Sequence, residues 1–355
     1  MQANVSPPVR MGYRPEIDGL RGVAVLAVII NHFNDKLLPG GYLGVDVFFV
    51  ISGFVITASL AARNSSSFAE LFLGFYARRV RRLLPALVLF ILISGFVICF
   101  LMPDPGGTLG VGRRALFGIS NIQLYRESVQ YFSESAKLNP YTHTWSLGVE
   151  EQFYLLFPFL VAWSGFGRSS GRGPRNLGVI IGVLSALSLA LFIFLYPRNQ
   201  PAAYFLMPSR FWEMGVGCLL FLFWMKASGE TLSRIPKLVS AATVVLLFAT
   251  FLLPVQWAVV ATILAVLATT LMILSVREGS VAYWGLAHPL LVKIGLISYS
   301  LYLWHWGVIA FSRLSIGISW WTIPFQVLLM AVLAFASYRY VESPLRKLRW
   351  SRGDG

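Results

Sequence analysis

Long apolar runs separated by short polar segments occupy the chain from residue 17 to residue 341. A helix needs about 20 largely apolar residues to cross a bilayer. The pattern therefore predicts an all-α polytopic membrane protein with about ten transmembrane helices. The amphipathic residues 106–123 predict a re-entrant or interfacial segment, and residues 124–144 a polar loop. The predicted spans are residues 17–34, 41–60, 83–102, 145–164, 177–196, 207–225, 237–254, 257–276, 290–311 and 322–341.

The composition agrees with this fold class. Hydrophobic residues make up 57% of the 355 residues and charged residues only 12%. Soluble domains carry about 25% charged residues, so this chain cannot cover a soluble surface of its size. A soluble protein and a disordered chain are both excluded. The sequence predicts a single membrane-embedded domain for residues 1–355, with the domain itself at about 13–347 and a short basic C-terminal tail that faces the cytoplasm.

The net charge of +14 has a topological interpretation. Cytoplasmic loops of membrane proteins accumulate Lys and Arg. With both termini inside, 21 of the 29 Lys and Arg residues fall on the cytoplasmic side and 8 on the outer side. This bias predicts a multi-pass protein of the cytoplasmic (inner) membrane, N-in and C-in. Nucleic acid is not an expected partner because no polar basic domain is present to bind it.

Ionisable residues within the spans are candidate site residues, because a charge in the bilayer is costly. His32 lies 15 residues after Ile17, which is about 22 Å along a helix rising 1.5 Å per residue. Asp35 follows at i+3 and shares its helical face if the helix continues. On the predicted topology these two residues lie in the outer half of the membrane. The same depth is predicted for Asp46, His143, Glu150, Glu151, Arg210, Glu213 and His305.

A second set of charges is predicted at the inner surface. Arg14, Asp18 and Arg21 open the first span, and four arginines, Arg78, Arg79, Arg81 and Arg82, precede the third. Guanidinium groups bind phosphate through paired hydrogen bonds, so the cluster suits a polyphosphate or an anionic headgroup. A plain positive-inside anchor is the alternative interpretation. For His32 and Asp46 the corresponding alternative is a structural contact between helices.

Six motifs, in order, resemble those of the acyltransferase-3 family of integral membrane acyltransferases. The resemblance covers about residues 13–347. One departure is that no SGNH hydrolase-like domain follows the last span, so a second acyl-transfer step in such a domain would be absent or come from another protein. The motifs are RPEIDGLRG at 14–22 followed by His32, GVDVFFVISGF at 44–54, FYARRVRRLLP at 75–85, HTWSLGVEEQFY at 143–154, RFWE at 210–213 and SYSLYLWH at 298–305.

The resemblance implies transfer of an acyl group, often acetyl, from cytoplasmic acyl-CoA to a hydroxyl of a glycan or related acceptor. It maps the essential histidine to His32 and the donor-side arginines to Arg14, Arg79 and Arg82. It implies O-acetylation of an envelope or secreted glycan, with no metal and no permanently bound cofactor. The partners would be acyl-CoA, a glycan or glycolipid acceptor, and the bilayer.

The residue chemistry supports specific roles in such a reaction. His32 would act as the general base on the acceptor hydroxyl or carry the acyl group briefly. Asp35 or Glu150 would orient the imidazole, and Arg210 would stabilise negative charge on the thioester oxygen. The alternative function is a proton-coupled transporter or flippase without acyl-transfer chemistry. Such transporters often carry repeated halves, and the sequence shows no repeat.

Overall fold

The computed structural model describes residues 12–62, 68–129, 136–166, 172–227 and 235–347, and every regular element in these ranges is a helix. The predicted basic tail from residue 348 onward lies outside the described residues. The helices are α1 Pro15–Phe33, α2 Gly44–Ala61, α3 Phe68–Leu101, α4 Gly106–Ala115, α5 Ser120–Ser128, α6 Thr144–Ser164, α7 Gly173–Leu195, α8 Gln200–Phe205, α9 Met207–Lys226, α10 Lys237–Phe251, α11 Ala258–Ser275, α12 Val281–Leu286, α13 Pro289–Leu296, α14 Ser298–Leu314, α15 Ile323–Ser337 and α16 Ser343–Lys347.

Each predicted span coincides with one of these helices or with the α13–α14 pair. Among the described residues, six helices are long and apolar enough to cross a membrane, or seven if α13 and α14, which are bent by 72°, form one span. The expected number of ten is thus not reached on length and composition. Helix α10 has only 15 residues, and α6 carries Glu150, Glu151 and Gln152 in succession.

The segment predicted to be re-entrant or interfacial forms two short helices, α4 and α5. The chain reverses between them at Gly118, whose φ of +67° favours glycine. The Asn121 side chain of α5 binds Gln152 of α6, since the Gln152 amide donates to Asn121 Oδ1 over 2.7 Å. Both helices are too short to cross a bilayer.

Helices α2 and α9 pack with their backbones in close contact. Gly53 lies against the Met214 carbonyl and Gly217 against the Val50 carbonyl, so there is no room for a Cβ at either glycine. Small residues at such contacts allow membrane helices to approach closely. This packing places Asp46 of α2 beside Arg210 of α9.

Helix α1 joins two regions that carry most of the candidate site residues. Arg21 lies near its start and His32 near its end, and 11 residues of helix between them correspond to about 16 Å. We call the region around Arg21, Arg79 and Arg82 the arginine end, and the region around His32 and His305 the histidine end.

Candidate active site

Three histidines meet at the histidine end. His32 is the penultimate residue of α1, His143 directly precedes α6, and His305 lies in the middle of α14. The ring centroids of His32 and His305 are 5.3 Å apart and those of His143 and His305 are 5.6 Å apart. The structure therefore brings together three side chains that are distant in the sequence.

The hydrogen bonds of His305 determine the tautomer of His32. His305 Nδ1 faces the Tyr302 carbonyl oxygen at 2.5 Å, and a carbonyl can only accept, so Nδ1 carries the proton. In a neutral His305 the other ring nitrogen, Nε2, is then an acceptor. It lies 3.1 Å from His32 Nδ1, which must donate. In neutral His32 the remaining nitrogen, Nε2, therefore holds a free lone pair, which is the requirement for a base or a nucleophile.

His32 lines a cavity of about 160 Å³, which we call the histidine chamber. Its wall is largely aromatic. The Trp306 ring packs edge-on against the His32 ring, with centroids 4.6 Å apart. The lining residues are Val28, His32, Tyr42, Val45, Thr142, His143, Trp145, Tyr204, Phe205, Tyr302 and Trp306.

A larger cavity of about 330 Å³, the arginine chamber, occupies the arginine end. Four guanidinium groups line it, and the buried Nε of Arg82 has no hydrogen-bond partner among the described residues. A buried donor without a partner is costly, so this chamber suits an anionic ligand. Its charged lining residues are Asp18, Arg21, Arg79, Arg82, Glu150 and Arg346.

A polar network connects α2 and α6 in the arginine chamber. The Ser52 hydroxyl donates to Glu150 Oε1 over 2.5 Å and lies 2.7 Å from the Tyr154 hydroxyl. The Arg79 guanidinium lies over the Tyr154 ring, 4.5 Å from its centroid. These contacts hold Arg79 against the chamber wall.

Two expected partners of His32 are located elsewhere. Helix α1 ends at Phe33 because the Asn34 side chain accepts hydrogen bonds from the backbone amides of Lys36 and Leu37. Asp35 is exposed in the turn that follows, so the expectation that it shares a helical face with His32 is wrong. Glu150 lies in the arginine chamber with Ser52. The contact that orients the His32 ring comes from His305 instead.

Arg210 is held in a buried ion-pair cluster. Its Nη2 lies 2.8 Å from Asp46 Oδ1 and its Nη1 3.1 Å from Glu213 Oε1. All three side chains are buried, and they lie outside the linings of both chambers. The guanidinium sits behind Trp145 and Tyr204 of the histidine chamber, about 5.7 and 5.8 Å from their ring centroids. This geometry gives Arg210 a supporting position rather than contact with a thioester.

The expected donor-side arginines are divided by the structure. Arg79 and Arg82, one helical turn apart on α3, both line the arginine chamber. Arg14 lies outside that lining, where its Nε contacts Glu16 at 2.6 Å and its Nη2 donates to the Ile273 carbonyl. Its contacts tie the start of α1 to the end of α11.

Some of the chamber residues had no assigned role at the level of sequence. Arg21 and Arg346 were recognisable only as parts of basic clusters near the first and last spans. Their shared chamber depends on tertiary packing. Ser52 and Tyr302 are uncharged, so they did not stand out beside the ionisable residues of the spans. The SYSLYLWH motif alone does not show which of its residues faces His32.

The comparisons with known proteins identify the family to which the chain belongs. The family model described as "Acyltransferase domain" (acyltransferase-3) matches residues 14–339. O-acetyltransferase OatA of Staphylococcus aureus strain NCTC 8325 is 33% identical over 356 residues, as is OatA of strain MRSA252. The alignments cover 94% of this chain but 57% of each relative, so the chain spans little more than half their length. No solved structure matches significantly. The chain is therefore a multi-pass membrane protein that belongs to the acyltransferase-3 family.

Proposed function

We propose that this protein is an O-acyltransferase that moves an acetyl group from acyl-CoA to a hydroxyl of an envelope or secreted glycan. The donor binds at the arginine end, which faces the cytoplasm, and the acceptor approaches His32 from the outer side. The observation that carries the proposal is that the arginine chamber adjoins the histidine chamber, with Val45 and Tyr302 in both linings.

Donor binding follows from the charge of the arginine chamber. Acyl-CoA carries several phosphate charges and a long, flexible arm that ends in the thioester. Arg79, Arg82, Arg21 and Arg346 offer guanidinium groups to the phosphates. The arm then extends toward the histidine chamber, about 16 Å further along α1. A short acyl group can thus reach His32 while the nucleotide stays at the arginine end.

The chemistry uses the free lone pair of His32. Nε2 accepts the proton of the acceptor hydroxyl, whose oxygen attacks the thioester carbonyl carbon. The carbon–sulfur bond breaks, and CoA leaves as a thiolate that takes up the proton from His32. The same Nε2 is also the atom that would carry the acetyl group in a two-step route. His305 holds the ring in the required tautomer in either route.

The donor site predicts a difference between neighbouring arginines. Arg79→Ala and Arg82→Ala should each raise the KM for acetyl-CoA about tenfold to a hundredfold, because each removes a charge-assisted contact worth about 1.5–3 kcal/mol. Arg81→Ala is the matched control, since Arg81 belongs to the same cluster but lies outside the chamber lining. The KM for acetyl-CoA is measured with purified protein. Acylation in the cell is measured by mass spectrometry of envelope glycans from the deletion strain and from complemented strains. Equal effects at all three positions would indicate that the arginine cluster serves only as a positive-inside anchor and does not bind the donor.

His305 is predicted to act as a positioning residue for His32. His305→Ala should lower kcat about tenfold while leaving the KM for acetyl-CoA unchanged, because it removes one hydrogen bond that fixes the His32 ring. His305→Gln should recover part of the loss, since an amide oxygen can accept from His32 Nδ1. A rise in KM without a fall in kcat would contradict this role.

A further inference from the structure

The boundary between the two chambers is formed by very few side chains. Among the described residues, Val45 of α2 and Tyr302 of α14 are common to both linings. Tyr302 is the larger of the two, and it is 7% exposed. A group that moves directly from the arginine chamber to His32 would therefore pass between Val45 and the Tyr302 ring.

The Tyr302 ring is fixed by contacts to the opposite wall. Its hydroxyl lies 2.8 Å from Ser146 Oγ and donates to the His143 carbonyl over 3.1 Å, and both partners belong to the start of α6 or the residue before it. The Phe48 ring packs edge-on against it at 6.3 Å between centroids. The side chain thus bridges α14 and α6 between the chambers.

We propose that Tyr302 is the gate between the two chambers, and that it limits the acyl group that reaches His32 to a short chain. This inference rests on the proposed function. A net hydrogen bond changes an equilibrium by roughly 2- to 12-fold, so the two bonds hold the gate closed without locking it. An open conformation populated at about 0.1–10% is within the usual range for a minor state.

The sizes of the chambers support the limit on chain length. Ligand pockets usually measure about 300–1,000 Å³. The arginine chamber, at about 330 Å³, falls within that range, whereas the histidine chamber, at about 160 Å³, is smaller. Aromatic rings line most of the smaller one, so a longer acyl chain gains space most directly at the position of Tyr302.

The closed gate also affects a side reaction. If water enters the histidine chamber with the thioester, His32 can take a proton from water, the water oxygen attacks the carbonyl carbon, and the carbon–sulfur bond breaks. The departing thiolate takes the proton from His32, so the products are the CoA thiol and acetic acid, which ionises to acetate. A closed gate reduces this loss, because it keeps the thioester out of the histidine chamber for most of the time.

The test compares Tyr302→Ala, Tyr302→Phe and a control at Tyr141. Tyr141 is buried, lies outside the linings of both chambers, and its hydroxyl donates to the Ile91 carbonyl over 3.2 Å. Each purified variant receives acetyl-CoA or butanoyl-CoA without an acceptor, and released CoA thiol is measured. The same variants are expressed in the deletion strain, and glycan esters are identified by mass spectrometry.

Tyr302→Ala is expected to reduce the preference for acetyl over butanoyl by about tenfold or more, because one methylene is usually worth roughly 10- to 200-fold in a tight pocket. Tyr302→Phe keeps the ring and should keep the preference, but it should raise acceptor-free CoA release about 2- to 12-fold per lost hydrogen bond. Tyr141→Phe removes one buried hydrogen bond outside both chambers, so it should change neither the acyl preference nor the rate of CoA release.

Two results would contradict the proposal that Tyr302 is a gate. One is wild-type acyl preference in Tyr302→Ala, and the other is wild-type CoA release in Tyr302→Phe. If Tyr302→Ala does not accumulate in the membrane, the Tyr302→Phe result decides. Failure of the proposed function is recognised separately, because the deletion strain would then lose no glycan esters and the wild-type protein would release no CoA.

Discussion

Replacing His32 with alanine should abolish acyl transfer while the protein still inserts into the membrane and binds acetyl-CoA. Loss of a general base costs about 10²–10⁴-fold in rate, and loss of a covalent carrier would cost at least as much. A structural hydrogen bond between membrane helices is worth about 0.6 kcal/mol on average, or roughly threefold. The size of the effect therefore separates the catalytic interpretation from the structural one.

The measurement is the acetylation of envelope glycans in the deletion strain carrying each variant, with membrane abundance determined in parallel. His288→Ala serves as the control, since His288 is exposed at the start of α13. A His32→Ala protein that accumulates normally and keeps about a third of the wild-type rate would contradict the proposal. The catalytic role would then pass to His305 or His143.

Replacing Arg210 with methionine should destabilise the protein by about 3–5 kcal/mol, because Asp46 and Glu213 would be left buried without their counter-charge. The expected result is a strong loss of folded protein in the membrane and a lower thermal unfolding temperature in detergent. Replacing all three residues by apolar side chains of similar volume should restore much of the stability, since such substitutions of buried ion pairs are often neutral.

The triple variant also separates the two roles considered for Arg210. If Arg210 only supports the wall behind Trp145 and Tyr204, the stable triple variant should keep kcat within about tenfold of wild type. If Arg210 stabilised negative charge on the thioester oxygen, the loss should be about 10²–10³-fold, as for other oxyanion donors. A stable but inactive triple variant would restore the catalytic assignment.

Much of the fold was predictable because apolar runs of membrane length leave few alternatives to helices. The i+3 spacing of Arg79 and Arg82 places them on one face of α3, and both line the arginine chamber. The same i+3 argument gave a wrong expectation for His32 and Asp35, because it requires a continuous helix. Asn34 caps α1, which ends at Phe33, two residues before Asp35.

The shared depth predicted for the ionisable residues did not determine which of them meet. Position along α6 does not determine which neighbour Glu150 faces, and the structure turns it toward Ser52 in the arginine chamber. The i+3 spacing of Arg210 and Glu213 places them on one face of α9, where they form an ion pair, but their pairing with Asp46 depends on how α2 packs against α9. Contacts between helices are set by the complementary surfaces of both partners, which one sequence pattern does not describe.

The hydrogen bonds of His32 and His305 run in one direction and end at a backbone carbonyl oxygen. His32 donates to His305, and His305 donates to the Tyr302 carbonyl, which cannot accept a proton covalently and pass it on. A proton taken up at His32 Nε2 can therefore be shared with His305 but must leave again through Nε2. Along these hydrogen bonds the pair can hold a proton but cannot relay it further, so the positive charge on His32 stays at the histidine end until Nε2 gives up the proton.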